Sequence, residues 1–205
     1  MLPIEARAEE PLERIDLAMS RYADGDESAF ADLFSALAPK LRAFLLRLAG
    51  SRELAEDLLQ ETFLRIHHAR ASFARGRRVT PWAYAIARNC YVSQSRSAQT
   101  RLARASGDLE IELPASPDTD AEQTALARQS AAVVQRTLAG MTEARREAFI
   151  LLRYEGLSVA AAAQIVGVSE SALKVRAFHA YELIRAALGA MTELGAASPC
   201  ARERA

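Results

Sequence analysis

The residues predict an all-α chain: two small helical domains joined by a flexible linker. Glycine and proline contribute only 9 and 7 of 205 residues, while alanine and leucine are abundant, which favours helix over sheet. Apolar residues recur at three- and four-residue steps over most of the chain. Near Ala98 that periodicity stops, and a stretch containing Pro114 and Pro117 follows before it resumes at Ala121, as expected of a linker. A chain of 205 residues is long for one compact domain and comfortable for two. Hydrophobic residues make up 50%, enough for a core in each.

The expected boundaries are a disordered amino terminus over 1–11, a first domain over 12–97, a linker over 98–120, a second domain over 121–190 and a short tail over 191–205. Leu12, Ile15, Met19 and Tyr22 make one face of a short helix that stops at Asp24-Gly25-Asp26. A second helix from about Glu27 carries Phe30, Leu33, Phe34 and Leu37. Pro39 either kinks it or opens a new helix at the first position, where the missing N–H has no partner to lose; the new helix is preferred. Leu41, Phe44, Leu45 and Leu48 supply its apolar stripe, and Gly50 closes it in a left-handed conformation.

Ser51 caps the next helix, with Glu53 suited to its positive end. Leu54, Leu58, Leu59, Phe63 and Ile66 face inward, leaving Glu56, Asp57, Gln60, Glu61 and Arg65 outside. His68 to Val79 lacks periodicity and reads as a basic loop. Thr80-Pro81 reads as a hydroxyl cap followed by proline at the first helical position, and Trp82, Ile86 and Cys90, with Ala83 and Ala87, as the buried side of the helix that follows. Core packing is the plainer role for Trp82.

In the second domain, Leu126, Val133, Val134 and Leu138 continue the helical pattern. Thr142 caps a helix carrying Ala144, Ala148, Leu151 and Leu152, which ends at Gly156. Ser158 caps a short helix with Val159, Ala162, Ile165 and Val166 inside, and Gly167-Val168-Ser169 forms a tight turn. The last helix buries Leu173, Ala177, Ala180, Ile184 and Leu188. A short helix, a glycine turn and a longer helix that is polar near its start have helix-turn-helix spacing.

Charge is segregated. The formal net charge is zero, yet Thr62 to Gly107 holds Arg65, Arg70, Arg75, Arg77, Arg78, Arg88, Arg96, Arg101 and Arg104 with no acidic residue. Such a tract suits a polyanion, and its interleaved Trp82, Tyr84 and Tyr91 suit unstacked bases held against a phosphate backbone. Lysine occurs only at Lys40 and Lys174. The arginine bias serves bidentate phosphate contacts or reflects genome composition. Acidic residues return in the linker.

Cys90 and Cys200 are too few and too far apart for a metal site or a disulfide framework, and Cys90 reads as a small buried thiol. No metal or other cofactor is expected. No apolar run reaches membrane-span length and no signal-peptide pattern opens the chain, so no membrane insertion and a cytoplasmic location are expected. There are no paired carboxylates beside a His or Cys cluster, no phosphate-cradling glycine loop and no nucleophile motif, so the chain is not expected to be an enzyme.

Three motifs in order resemble the sigma-70 superfamily of bacterial transcription initiation factors, in its small two-domain extracytoplasmic function form. Asp57-Leu58-Leu59-Gln60-Glu61-Thr62-Phe63-Leu64-Arg65-Ile66 resembles region 2.2, Trp82-Ala83-Tyr84-Ala85-Ile86-Ala87-Arg88-Asn89 resembles regions 2.3 and 2.4, and Gly156 through Arg176 is similar to region 4. The resemblance implies a region 2 helical bundle and a region 4 helix-turn-helix. It also implies that Asp57, Gln60 and Glu61 contact the clamp helices of the largest polymerase subunit, where the residues alone suggest a solvated face. Region 4 would meet the flap of the second-largest subunit.

The basic loop and the helix after it would bind and hold open the minus-ten promoter element through Arg75, Arg77, Arg78, Arg88, Asn89 and Arg96, with Tyr84 or Tyr91 as stacking partners. Ser169, Ser171, Lys174, Val175 and Phe178 would face the minus-35 major groove, with Arg176 and His179 reaching phosphates. An anti-sigma protein is an implied partner besides core polymerase and promoter DNA. An autonomous helix-turn-helix regulator is the alternative, and the exposed acidic face before the arginine tract argues against it.

Overall fold

A computed structural model describes residues 12–74, 76–102 and 121–196 of the chain. All regular structure among them is helical. Helices α1 (Leu12–Ala23), α2 (Ala29–Ala49), α3 (Arg52–Ala69) and α4 (Val79–Leu102) form the amino-terminal bundle, with a single 3₁₀ turn at Arg70–Ser72. Helices α5 (Ala121–Ala139), α6 (Glu143–Phe149), α7 (Val159–Val166) and α8 (Glu170–Ala196) form the carboxy-terminal group, and a π-helical turn, Ile150–Tyr154, prolongs α6. The remainder of the stretch expected to be linker, 103–120, lies outside the described residues, as do 1–11 and 197–205.

The bundle is built on the apolar positions that periodicity selects. Met19, Leu33, Leu37, Leu41, Phe44, Leu45 and Ile66 are almost fully buried, each worth roughly 1.5–3 kcal/mol of transfer free energy before conformational entropy is opposed to it. Gly50 closes α2 at φ 68°, its N–H donating to the Leu46 carbonyl. Ser51 Oγ accepts from the Leu54 N–H at 3.3 Å and starts α3.

Pro39 does not open a helix. It lies inside α2, which runs unbroken through it. The buried stripe of Leu33, Leu37, Leu41 and Leu45 continues across the proline, while Pro39 itself is exposed, so the carbonyl it leaves without an intrahelical donor is on the side water reaches.

The start of α4 also differs from expectation. Thr80 is not its cap: the helix begins at Val79, whose N–H donates to Asp16 Oδ1 on α1 at 2.7 Å. A carboxylate from another helix thus serves as the cap, and Pro81 still falls within the first turn, where backbone N–H groups have no intrahelical partner. The buried face of α4 is rotated as well. Val79, Ala83, Tyr84, Ala87, Cys90 and Tyr91 are buried, whereas Trp82 and Ile86 are only partly so. Trp82 stacks edge-on against buried Phe73, ring centroids 5.0 Å apart, and this anchors the otherwise irregular basic segment.

In the carboxy-terminal group, Ser158 Oγ accepts from the Ala161 N–H and Gly167 closes α7 at φ 74°. Ser169 Oγ accepts from the Ala172 N–H at 3.2 Å and starts α8. Thr142 precedes α6 without a side-chain cap bond. Leu173, Ala177, Ala180 and Ile184 are buried on α8 as their spacing predicts, and Leu138, Met141 and Phe149 pack against the last two.

The two halves are in contact. Ile150, Leu151, Ala162, Ala163 and Leu173 belong to the same buried cluster as Leu41, Phe44, Ala87 and Tyr84, with α7 lying along α4. If Asp16 caps α4, Asp16→Ala should lower stability by about 1 kcal/mol, the usual worth of a lost cap, read as a lower denaturation midpoint in urea with an unchanged slope.

Candidate nucleic-acid interface

The exposed side of α3 carries Asp57 and Gln60, both solvent-facing, with Glu61 partly covered. Glu61 Oε1 accepts from Arg65 Nε at 2.7 Å across one helical turn. Leu64, 55% exposed, lies on the same side, one turn after Gln60 and Glu61.

The 3₁₀ turn and the glycine at Gly76, φ 76°, bring the chain from α3 into α4 and leave Arg77 and Arg78 exposed. Arg75 lies outside the described residues. On α4, Asn89 and Arg96 are exposed. Tyr84, Tyr91 and Arg88 are not available in the way the sequence suggests, because the carboxy-terminal half covers them.

Tyr84 is 2% exposed. Its ring packs on Phe44, centroids 5.0 Å apart, and its hydroxyl donates to Glu155 Oε2 at 2.6 Å. It is therefore a core residue with a polar tip, and base stacking by this ring is ruled out in the packed arrangement. Tyr91 is 9% exposed, with Arg146 Nη2 donating to its hydroxyl at 3.5 Å. Arg88 donates through Nε to Glu147 Oε1, and through Nη2 to Glu147 Oε2 at 3.2 Å, the bidentate geometry a guanidinium otherwise offers to phosphate.

Glu147 and Glu155 are the residues that sequence reasoning missed. Glu147 sits on α6 with 3% of its side chain exposed, and Glu155, just past the π turn, with 6%. Besides Tyr84, Glu155 accepts from Arg47 Nη1 at 3.0 Å, and the Arg47 guanidinium lies 4.6 Å from the centre of the Tyr154 ring. Burial raises the pKa of both carboxyls, against the lowering effect of Arg88 and, more distantly, Arg176 on Glu147, and of Tyr84, Arg47 and Lys40 on Glu155. Glu143 adds to the rise at Glu147. Burial likewise pushes the Tyr84 and Tyr91 hydroxyls up, so both stay protonated at neutral pH. Periodicity marks Glu147 only as an anomaly, a charged residue in the register of Ala148 and Leu151.

The outer face of α8 is open. Ser169, Ser171, Lys174, Val175, Phe178 and His179 are exposed and Arg176 is partly covered. Val175 and Phe178 are 56% and 61% exposed, apolar groups on the side of a helix whose opposite side is already packed. Together with the hydroxyls and Lys174 they form a face that can meet base edges, thymine methyls and phosphates in a major groove.

The sigma-70 region 2 family profile matches residues 33–101 and the sigma-70 region 4 profile residues 131–184. The chain is 35% identical over 171 residues to the RNA polymerase sigma factor CarQ of Myxococcus xanthus, covering 83% of this chain and 95% of that one. It is 32% identical over 163 residues to the ECF RNA polymerase sigma factor SigF of Caulobacter vibrioides, covering 79% and 87%. Among solved structures, the sigma factor RpoE of Bartonella quintana, in complex with the anti-sigma factor NepR, superimposes with a TM-score of 0.67 at 25% identity, covering 78% of this chain and 96% of that one.

Proposed function

Because the chain belongs to the extracytoplasmic function group of the sigma-70 family, we propose that it joins core RNA polymerase through α3, engages the minus-ten element through the basic segment and α4, and reads the minus-35 element with α8. As a member of that family it binds core polymerase and directs promoter-specific initiation. The residue assignments are Asp57, Gln60 and Glu61 for the polymerase clamp, Arg75, Arg77, Arg78, Arg88, Asn89 and Arg96 for the minus-ten strand, with Tyr91 uncovered when the halves part, and Ser169, Ser171, Lys174, Val175, Arg176, Phe178 and His179 for the minus-35 groove. Nucleotide addition belongs to the polymerase and the chain contributes no catalysis. It acts in the cytoplasm with its polymerase, and no helix among the described residues is long and apolar enough to cross a membrane.

The observation that carries this reading is the pairing of an exposed outer face on α8, with Ser171, Lys174, Val175 and Phe178, and a separate outward acidic face on α3. An autonomous helix-turn-helix regulator needs the first and has no use for the second. The solved RpoE relative is bound to an anti-sigma factor, which supports an inhibitory protein partner for this chain too.

Gel filtration with bacterial core polymerase, followed by transcription from a genomic promoter library, tests the reading: co-elution and promoter-dependent transcripts are expected, and duplex DNA binding without co-elution would favour the autonomous regulator. Reversing Asp57 and Glu61 to Arg should weaken core binding by about tenfold or more, the order expected for charge reversal at a complementary interface, with helicity unchanged by circular dichroism. Lys174→Ala should reduce the slope of log affinity against log salt by about one, the signature of one lost phosphate contact.

A further inference from the structure

Helix α8 presents one ordered stripe to solvent. Ser169 Oγ, accepting from the Ala172 N–H at 3.2 Å, fixes where the helix begins, and burial of Leu173, Ala177, Ala180 and Ile184 fixes its rotation. Ser171, Lys174, Val175 and Phe178, at i, i+3, i+4 and i+7, are thereby left along the opposite side, all of them exposed. Two of the four are large and apolar: Val175 is 56% and Phe178 61% exposed. The His179 ring stands edge-on to Phe178, centroids 5.8 Å apart, and backs the aromatic ring on one side.

What this stripe can read follows from its chemistry. In a major groove, purines are singled out by paired hydrogen bonds from Arg, Lys, Asn or Gln, and thymine by apolar contact with its C5 methyl group. The stripe holds no Arg, Asn or Gln. Arg176 lies at its edge, partly covered, where its charge acts on buried Glu147 of α6, and Lys174 serves a phosphate in the reading above. Set against a purine edge, Val175 and Phe178 would strip water from polar atoms without replacing its hydrogen bonds. Set against a methyl group, they bury apolar surface without that cost.

Spacing adds a second constraint. Val175 and Phe178 are three residues apart, about 4.5 Å of helix rise, comparable with the roughly 3.4 Å step between stacked bases. Their targets are therefore neighbouring base pairs. The stripe ends one turn later at Glu182, whose carboxylate accepts from Arg185 Nη1; a negative side chain there is a poor neighbour for a phosphate. From Ser171 to Phe178 the rise is about 10 Å, which matches about three base pairs.

We propose that Val175 and Phe178 set the sequence preference of α8 by reading the C5 methyl groups of thymines in two neighbouring base pairs of the minus-35 element. The inference rests on the minus-35 reading of α8 and names what that helix selects. Lys174 and the helix edge hold the duplex whatever its sequence, and the two apolar side chains choose among sequences.

The test uses the full chain assembled with core polymerase, and a fluorescein-labelled duplex bearing one promoter recovered from the genomic library. Each thymine of its minus-35 segment is replaced in turn by uracil, which lacks only the methyl group. Thymines in two neighbouring base pairs are expected to lose about fourfold in affinity each, the worth of one buried methyl-sized group, and the others nothing. In Val175→Ala the loss at one of these positions should vanish, and in Phe178→Ala the loss at the other, because removing both members of a contact does not add. Both variants should keep wild-type helicity and the wild-type salt slope, unlike Lys174→Ala. Uracil tolerated at every position overturns the methyl reading, as do variants whose uracil losses match those of wild type. Variants that bind core polymerase less tightly, yet distinguish thymine from uracil as wild type does, place the apolar pair against protein and overturn it too. If the minus-35 segment can be scrambled without loss, or no promoter-dependent transcript is recovered, the minus-35 reading of α8 itself fails and the inference with it. A segment that matters but accepts uracil throughout sinks the methyl reading alone.

Discussion

A buried charge must be paired, and that constraint governs how the two halves of this chain meet. Glu147 and Glu155 are carboxylates with almost no water around them. Leaving either unpartnered would cost several kcal/mol, so the helices that carry them can lie only where Arg88, Arg47 and the Tyr84 hydroxyl are within reach. The buried residues of α7 and α4 include Ala162, Ala163, Ala83 and Ala87, which allow close approach and supply little directional preference. Orientation comes from the ion pairs.

The same arrangement divides the chain's functional surfaces into those that are open and those that are covered. Asp57 and Gln60 on α3, and Ser171, Lys174, Val175 and Phe178 on α8, face solvent with the halves together. Arg88 and Tyr91 do not. With the halves together, the acidic face of α3 and the outer face of α8 are therefore open to a partner while Arg88 and Tyr91 are covered. Val175 and Phe178 are left exposed on α8 because the opposite face, Leu173, Ala177, Ala180 and Ile184, already occupies the local core, and burial claims one side of an amphipathic helix.

Local sequence determined a good deal here. The helical class, the register of α1, α2, α3, α7 and α8, the Gly50 and Gly167 closures and the Ser51 and Ser158 caps all follow from residues a few positions apart, because helix hydrogen bonds and caps are local. The outward faces of α3 and α8 follow from the same 3.6-residue period. Tertiary structure alone decided what depends on distant partners. Asp16 rather than Thr80 caps α4, since a carboxylate from α1 accepts from the Val79 N–H. Pro39 stays within α2 because packing on both sides of it outweighs one missing hydrogen bond. The buried face of α4 is turned from Trp82 toward Tyr84 and Tyr91 because a second set of helices covers that side, and Glu147 and Glu155 become interior residues for the same reason. Nothing in a charged residue's neighbours along the chain states that its counter-ion lies some sixty to a hundred positions away, and that long-range pairing is what places Arg88 against a carboxylate instead of water.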